Sequence, residues 1–442
     1  MVFQAQITGI MLIVCVVLWA RKPFGLPFSV TALIFLAACV GLGTPAPVAF
    51  SGFASGAFWT LVPALFFGFA LASTGLGKRI AYFLLMRLRA PTLPKLLVVF
   101  CVIGLIFSLL TPSMTVRVVI ISPIAVSCAD LCGFGKGTKE RSVLVITVWL
   151  AAVVPGTAWL TGSLNGPVLT GMFEGAGLGG ITFSDWISVS MLPVLLAVVL
   201  TVVFGYLAVR PGGKLAAERA VFVSAYAGIG PVKRTEVLTG AVLACCFVLF
   251  ATRALHGIPD AVVCIAGLAA LFIFGVISAD DIGTGISWDL AVFLGALLGF
   301  GAVFEQTGLS SLLIGVVTPA AAPVAGASPG LFIILAALIL FLWRFVDIAT
   351  FIPTFAIVTA MLPGFASDFG VSPLVWIPVL SLAQNTFLMS YTNFFALIAE
   401  RHMGASGWDR KTFSKYSFVY CAAVIAGLAV SLPYWGSLGL LG

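Results

Sequence analysis

Four short polar segments interrupt otherwise apolar stretches of this chain, and each carries residues able to hold a small charged solute. The first is Thr111-Pro112-Ser113-Met114-Thr115, in the middle of the apolar segment 93–131. Polar, proline-containing backbone at membrane depth leaves N–H and C=O groups without helical partners, at several kcal/mol per group in hydrocarbon. Water, an ion or a solute must satisfy them. The helix after Thr115 aims its N-terminus at this tip, which favours an anion. The alternative is a plain helix-turn-helix in which Ser113 and Thr115 are ordinary caps.

The second segment follows Pro155-Gly156 and reads Gly162-Ser163-Leu164-Asn165-Gly166-Pro167. Two glycines, a proline and an asparagine do not continue a helix comfortably. Carbonyls exposed there suit a hard cation such as sodium, and Asn165 suits an anion or a carbonyl; a periplasmic turn is the alternative. Ser390-Tyr391-Thr392-Asn393 is its partner later in the chain. The fourth segment, Trp343-Arg344-Phe345, lies inside the apolar run 327–362. An arginine in hydrocarbon costs about 2.5–3.5 kcal/mol even on insertion scales, so Arg344 must face water, a carboxylate or a bound anion. Asp347, three residues on, offers a local pair. A cross-hairpin charge pair between Arg117 and Asp347 is a further arrangement the sequence permits.

The elements that carry these segments follow from composition. Of 442 residues, 61% are hydrophobic and 8% charged, against roughly 25% charged in a soluble domain. The solvent must be lipid. Apolar runs are continuous rather than alternating, so the spans are helices and not strands. Spans are expected at about 7–20, 27–44, 57–76, 142–161, 186–208, 237–254, 259–278, 287–305, 371–389 and 415–438. The interrupted segments 93–131 and 327–362 each read as a re-entrant hairpin that enters and leaves on one side. Nine scattered cysteines and two histidines give neither a disulfide framework nor a metal cluster. No cleaved leader is expected, because Ile7–Ala20 lacks a basic start.

Charge placement supports the hairpins. With Arg21 and Lys22 cytoplasmic, nineteen of the 22 basic residues fall inside, leaving Arg253 external and Arg117 and Arg344 within the hairpins. The positive-inside rule therefore accounts for the net charge of +7 without a nucleic-acid partner. Both termini come out external, and the location expected is the inner membrane.

The chain also repeats. Trp59-Thr60-Leu61 leads to Thr74-Gly75-Leu76, and Trp288-Asp289-Leu290 leads to Thr307-Gly308-Leu309, with opposite orientation. An interfacial helix follows in each half (Gly77–Arg89, then Ser310–Val317), then a hairpin, then a span broken near Asn165 or Asn393. Aligning Pro123 with Pro353 sets Trp343-Arg344-Phe345 opposite Ser113-Met114-Thr115. Inverted repeats with broken helices place a binding site at the midplane where the halves meet. Asp289 and Glu305, which bracket one span, are given no chemistry.

These residues resemble the divalent anion:sodium symporter family, within the wider ion-transporter superfamily. Thr74 to Tyr82 resembles its first interfacial helix. Ser113-Met114-Thr115 with Pro123 resembles its Ser-Asn-Thr hairpin signature. Gly162–Asn165 and Tyr391-Thr392-Asn393 resemble its two broken-helix loops. The resemblance implies an all-α polytopic membrane protein, an inverted repeat with two hairpins and two broken helices, working as an elevator. Scaffold spans and the first interfacial helix would occupy 1–92. Transport half 1 would be 93–208 (hairpin 93–131, broken helix 142–175, span 186–208) and the cytoplasmic loop 209–236. A second scaffold block with its interfacial helix would take 237–326, and transport half 2 would be 327–442 (hairpin 327–362, broken helix 371–402, span 415–438). It implies a homodimer in the lipid bilayer and a small dianionic substrate: a dicarboxylate, a tricarboxylate, sulfate or a sulfonate. Substrate-binding candidates are Ser113, Met114, Thr115, Asn165, Arg344, Thr392 and Asn393. Ser113 with carbonyls near Gly162 would hold one sodium; no other cofactor is implied.

The chain departs from that family at two places. Met114 stands where the signature has asparagine, and Trp343-Arg344-Phe345 stands for the whole second signature. A fixed guanidinium supplies the charge a sodium ion would bring and binds a carboxylate or sulfonate bidentately. Weakened or absent sodium coupling and an altered substrate are expected, with Trp343 and Phe345 narrowing the pocket. Rival readings are a cation:proton antiporter or oxyanion exporter of the same superfamily, and the large membrane subunit of a binding-protein-dependent carrier. An antiporter needs a free buried carboxylate, and Asp347 alone qualifies. An enzyme finds no paired carboxylates, metal motif or nucleophile elbow in the chain, and a channel fits two closed hairpin tips poorly.

Overall fold

The computed structural model describes residues 2–21, 25–212, 218–347, 351–404 and 407–441. Lys22 and Lys214, counted above as cytoplasmic, lie outside them. Among the described residues ten helices are long and apolar enough to cross a membrane, and the extended backbone amounts to one isolated bridge, Val371 to Leu441. Helices are what such a composition allows, because only a helix satisfies its own backbone in lipid.

The first half runs α1 (Val2–Arg21), α2 (Phe28–Gly41), α3 (Gly56–Ser73), α4 (Leu76–Leu85), α5 (Leu93–Leu110), α6 (Met114–Leu131), α7 (Lys139–Val153), α8 (Asn165–Gly175) and α9 (Phe183–Val209). The second half runs α10 (Arg234–Ala251), α11 (Asp260–Ile273), α12 (Trp288–Leu298), α13 (Phe300–Thr307), α14 (Leu309–Ala327), α15 (Pro329–Trp343), α16 (Ile352–Phe369), α17 (Trp376–Gln384), α18 (Phe394–Met403) and α19 (Arg410–Ser437). Shorter helices fill the connections.

Packing is reciprocal between the halves. Helix α3 packs on α11 while α12 packs on α2, α6 packs on α18 while α8 packs on α16, and α9 lies along α19. The two Thr-Gly-Leu turns share a backbone: Gly75 (φ 82°) caps α4 and Gly308 (φ 78°) caps α14, a left-handed geometry that favours glycine. Helices α7 from Arg141 onward and α17 throughout are buried on all sides, as expected of helices that are apolar all round. Helices α5, α6, α9 and α19 pack on α7, and α9 and α15 pack on α17.

At the end where basic residues are expected, Arg79 of α4 makes a buried ion pair with Glu236 at 2.5 Å and also donates to the carbonyls of Gly230 and Pro231. This ties α4 to the segment leading into α10. Asp289, given no chemistry above, accepts from the backbone N–H and hydroxyl of Ser29 at 2.9 and 2.6 Å, joining α12 to the start of α2.

Three boundaries differ from the sequence reading. The segment expected as a short interfacial helix, Ser310–Val317, belongs to the 19-residue α14; its prolines, Pro319 and Pro323, lie inside the helix and do not end it. The span 371–389 holds α-helix only from Trp376 to Gln384, after the 3₁₀ turn Pro373–Val375. The second hairpin turns later than the Pro353 alignment requires. Helix α15 continues to Trp343 and α16 starts at Ile352, so Pro353 occupies the first turn of α16 whereas Pro123 lies inside α6. Proline is favoured in a first helical turn and tolerated inside a buried membrane helix, so the two prolines do different work and do not align the tips.

Candidate functional site

The first hairpin turns through Thr111, Pro112 and Ser113. Ser113 is the N-cap of α6, its Oγ accepting from the backbone N–H of Val116 at 3.3 Å. The first broken helix stops at Val153, passes through the 3₁₀ turns Pro155–Ala158 and Leu160–Gly162, and restarts at Asn165. The second stops at Gln384, passes through the 3₁₀ turn Ser390–Thr392, and restarts at Phe394 with Asn393 as N-cap. The Asn393 Oδ1 accepts from Phe395 and Ala396 at 3.0 and 3.1 Å. The two final 3₁₀ turns match: Trp159 (φ −137°, ψ 154°) opens one and Met389 (φ −131°, ψ 152°) the other. Gly162 and Thr392 are therefore equivalent positions.

Four helices, α6, α8, α16 and α18, begin at one buried cavity of about 40 Å³. Its wall holds Met114 and Thr115 from the start of α6, Leu164 and Asn165 from α8, Ile352 from α16, and Asn393, Phe394 and Phe395 from α18. Arg344 and Gln384 complete the polar part, and Leu290 and Leu294 of α12 close one side. Each helix N-terminus carries a partial positive charge, so four of them and a guanidinium surround this space. No carboxylate belongs to its wall among the described residues. The volume is well below the roughly 300 Å³ and more of an open ligand site, so a bound solute would have to displace side chains.

Arg344 is 2% exposed. Its Nη1 donates to the Asp347 carbonyl at 2.7 Å, its Nη2 to the carbonyl of Thr392, and its guanidinium lies 5.0 Å from the ring centre of Phe351. Its Nε has no hydrogen-bond partner among the described residues. Phe351 is held in the left-handed region, φ 63°, a costly conformation for an aromatic residue and one that clusters at ligand sites. The Asp347 carboxylate turns away from Arg344 to cap α16, accepting from Phe351 N and Thr354 N, each at 3.3 Å, and from the Thr354 hydroxyl at 2.6 Å. The stretch 348–350 lies outside the described residues.

Arg117 is fully buried and meets three carbonyls: Ala152 through Nε at 2.6 Å, and Thr111 and Gly162 through Nη1 at 2.5 and 2.7 Å. The cross-hairpin ion pair with Asp347 is not formed, because Arg117 is spent on the C-terminal carbonyls of α5 and α7 and Asp347 on the N-terminus of α16. Nor is there an Arg344–Asp347 ion pair; the contact is to the backbone carbonyl. The fit of sodium to Ser113 and Gly162 is poor: the serine oxygen caps a helix and the glycine carbonyl already receives a guanidinium.

Five of the seven substrate-binding candidates, Met114, Thr115, Asn165, Arg344 and Asn393, thus share one cavity. Ser113 and Thr392 stand behind it, as a cap and as a carbonyl acceptor for Arg344. Trp343 and Phe345 are 40% and 43% exposed and do not narrow the cavity; Phe394 and Phe395 do. The sequence reading missed Gln384, whose Oε1 accepts from Asn165 Nδ2 at 2.8 Å. Its place at the end of an apolar run, nine residues before Asn393, was the available signal.

Comparison with known proteins follows the same lines. The family profile described as "Sodium:sulfate symporter transmembrane region" matches residues 2–425. The chain is 25% identical over 301 residues to Dicarboxylate transporter 1, chloroplastic, of Arabidopsis thaliana, covering 64% of this chain and 52% of that one. It is 26% identical to the inner membrane protein YbhI of Escherichia coli over 64% of this chain and 62% of that one. It is 25% identical to the putative malate transporter YflS of Bacillus subtilis, over 65% and 61%. The matches therefore span between half and two thirds of these relatives' length. Among solved structures, the YdaH transporter of Alcanivorax borkumensis shares the fold with a TM-score of 0.57 at 15% identity, over 89% of this chain and 88% of that one.

Proposed function

The chain belongs to the sodium:sulfate symporter family, and we propose that it is a secondary transporter moving a small dianion, a dicarboxylate or sulfate or a sulfonate of similar size, across the inner membrane. One observation carries this reading. Four helix N-termini and the side chain of Arg344, whose Nε has no hydrogen-bond partner among the described residues, line one small cavity with no carboxylate in its wall. A group with two negative charges would satisfy both the dipoles and the cation. The names of the relatives, dicarboxylate and malate transporters among them, point to the same chemistry.

On this reading the hairpins, the broken helices, α9 and α19 move as a transport body against a scaffold of α1–α4 and α10–α14, with Leu290 and Leu294 as the scaffold's contribution to closure. The reciprocal packing and the paired glycine turns support an inverted repeat. Dimerisation through the scaffold and external termini complete the picture. A cation:proton antiporter is disfavoured because the one candidate carboxylate, Asp347, already accepts three hydrogen bonds at the start of α16.

The test is uptake of labelled malate, succinate and sulfate into proteoliposomes holding the purified chain. Saturable uptake of at least one, with mutual competition, is the expected result. Absence of uptake and of competition across all three, from correctly folded protein, would remove the dianion reading.

A further inference from the structure

We infer that two covalently attached cations, the guanidinium groups of Arg117 and Arg344, take the place of coupling metal ions, so that transport by this chain needs no sodium. The inference rests on the dianion reading above and goes beyond it by assigning the coupling chemistry.

Where a membrane helix stops within the bilayer, its last carbonyls lack helical partners, and their combined dipole is negative. Two clusters of such carbonyls are bound by arginines among the described residues. At one, the carbonyl of Thr111, after α5, comes together with that of Ala152, at the end of α7, and that of Gly162, at the end of a 3₁₀ turn. At the other, the Asp347 carbonyl in the second hairpin turn comes together with that of Thr392, at the end of the matching 3₁₀ turn. A cluster of backbone carbonyls in a dry site is a fitting cage for a small monovalent cation. Here each cluster is already bound by N–H donors of an arginine.

The two arginines come from different backbone positions. Arg117 sits in the first turn of α6 and reaches back to the tip; Arg344 follows the last residue of α15 and reaches across. They nonetheless converge on one pattern: each joins a carbonyl of its own hairpin turn to the equivalent carbonyl of the neighbouring broken helix, Gly162 or Thr392. Such a bridge draws hairpin and broken helix together, as a shared ion would. A guanidinium carries its charge at every physiological pH and cannot dissociate from the chain. The bridging charge is thus permanent rather than taken from solution.

The test uses the full chain in two ways. Uptake of labelled malate, succinate and sulfate is measured at fixed ionic strength with sodium, potassium or N-methyl-D-glucamine as the sole added cation. Thermal melting in detergent is measured while sodium chloride replaces choline chloride. The expected results are initial rates within about twofold of one another and no saturable, sodium-specific shift in melting temperature. A tenfold or larger sodium requirement, or such a shift, would overturn the inference. Lack of uptake in every medium, with melting indifferent to sodium, would count against the dianion reading and leave this one standing.

Variants separate a cation's place from plain structural support. Arg117→Ala, or Arg117→Gln where alanine does not fold, frees the Thr111 and Gly162 carbonyls and is expected to acquire saturable sodium-dependent stabilisation; Arg117→Lys, which keeps a cation, is not. A folded Arg117→Ala or Arg117→Gln protein that stays indifferent to sodium would show that Arg117 does not stand in a cation's place.

Discussion

Asn165 donates from Nδ2 to Oε1 of Gln384 at 2.8 Å, across 219 residues of sequence and in the wall of the cavity. The two broken helices, one from each half, are thus joined by a side-chain hydrogen bond at the point where the proposed substrate would sit. Removing either partner takes this buried hydrogen bond from the other, at about 1–3 kcal/mol. Asn165→Ala and Gln384→Ala are each expected to raise the KM for the transported dianion by on the order of 5- to 50-fold. Because they share one bond, the double variant should cost clearly less than the two combined. Strict additivity in initial-rate measurements would mean the bond does not contribute to the site.

On the proposed reading Arg344 carries the charge that the cavity offers an anion. A hydrogen bond to a charged group contributes about 1.5–3 kcal/mol, so Arg344→Ala should weaken dianion binding by roughly 10- to 100-fold. Arg344→Lys retains the charge without the planar fork and should lose less in affinity. The discriminating readout is competition by mono- and dianionic inhibitors, since losing the cation should penalise dianions more. Equal losses for both classes would remove Arg344 from direct anion contact.

The Asp347 carboxylate caps the start of α16. Asp347→Ala is expected to destabilise the protein by about 1–2 kcal/mol, the usual value of a lost N-cap, read as a lowered melting temperature. Asp347→Asn should recover most of the loss and leave the pH dependence of uptake unchanged. A pH profile displaced by Asp347→Asn would reopen the proton-coupled reading.

Gly156 faces the carbonyl of Gly162 and the Nη2 of Arg117 so closely that an added Cβ would lie 2.1 Å and 2.5 Å from them. The carbonyl is backbone and cannot swing aside. Gly156→Ala should cost about 1–3 kcal/mol through overpacking and pry the 3₁₀ turn from Arg117. The expected outcome is a lowered melting temperature with loss of uptake, both checked on the purified variant. Unimpaired uptake would mean the Arg117 bridge can be opened without consequence.

Much of this was legible because the local chemistry was unambiguous. The continuous apolar runs gave the helices, and Thr111 to Thr115 together with Gly162 to Pro167 marked places where a helix must stop. The matching Thr-Gly-Leu turns foretold Gly75 and Gly308. What failed was register and partner choice. The Pro353 alignment put Arg344 in the position of Met114, because proline suits both a first helical turn and a buried helix interior. Arg117 looked like a partner for Asp347, because a sequence displays charges and hides carbonyls. Its three acceptors are backbone atoms that become available only once α5 and α7 end beside α6. Phe351 in a left-handed conformation beneath a guanidinium had no signal at all, since tertiary contacts alone hold it there.

The most direct measurement is an electron cryo-microscopy map of the protein in saturating amounts of whichever dianion it transports fastest. The account requires density for the ligand within hydrogen-bond distance of the Arg344 guanidinium and of Asn165 or Asn393, between the starts of α6, α8, α16 and α18. Ligand density elsewhere, with this cavity still closed around Arg344, would contradict it.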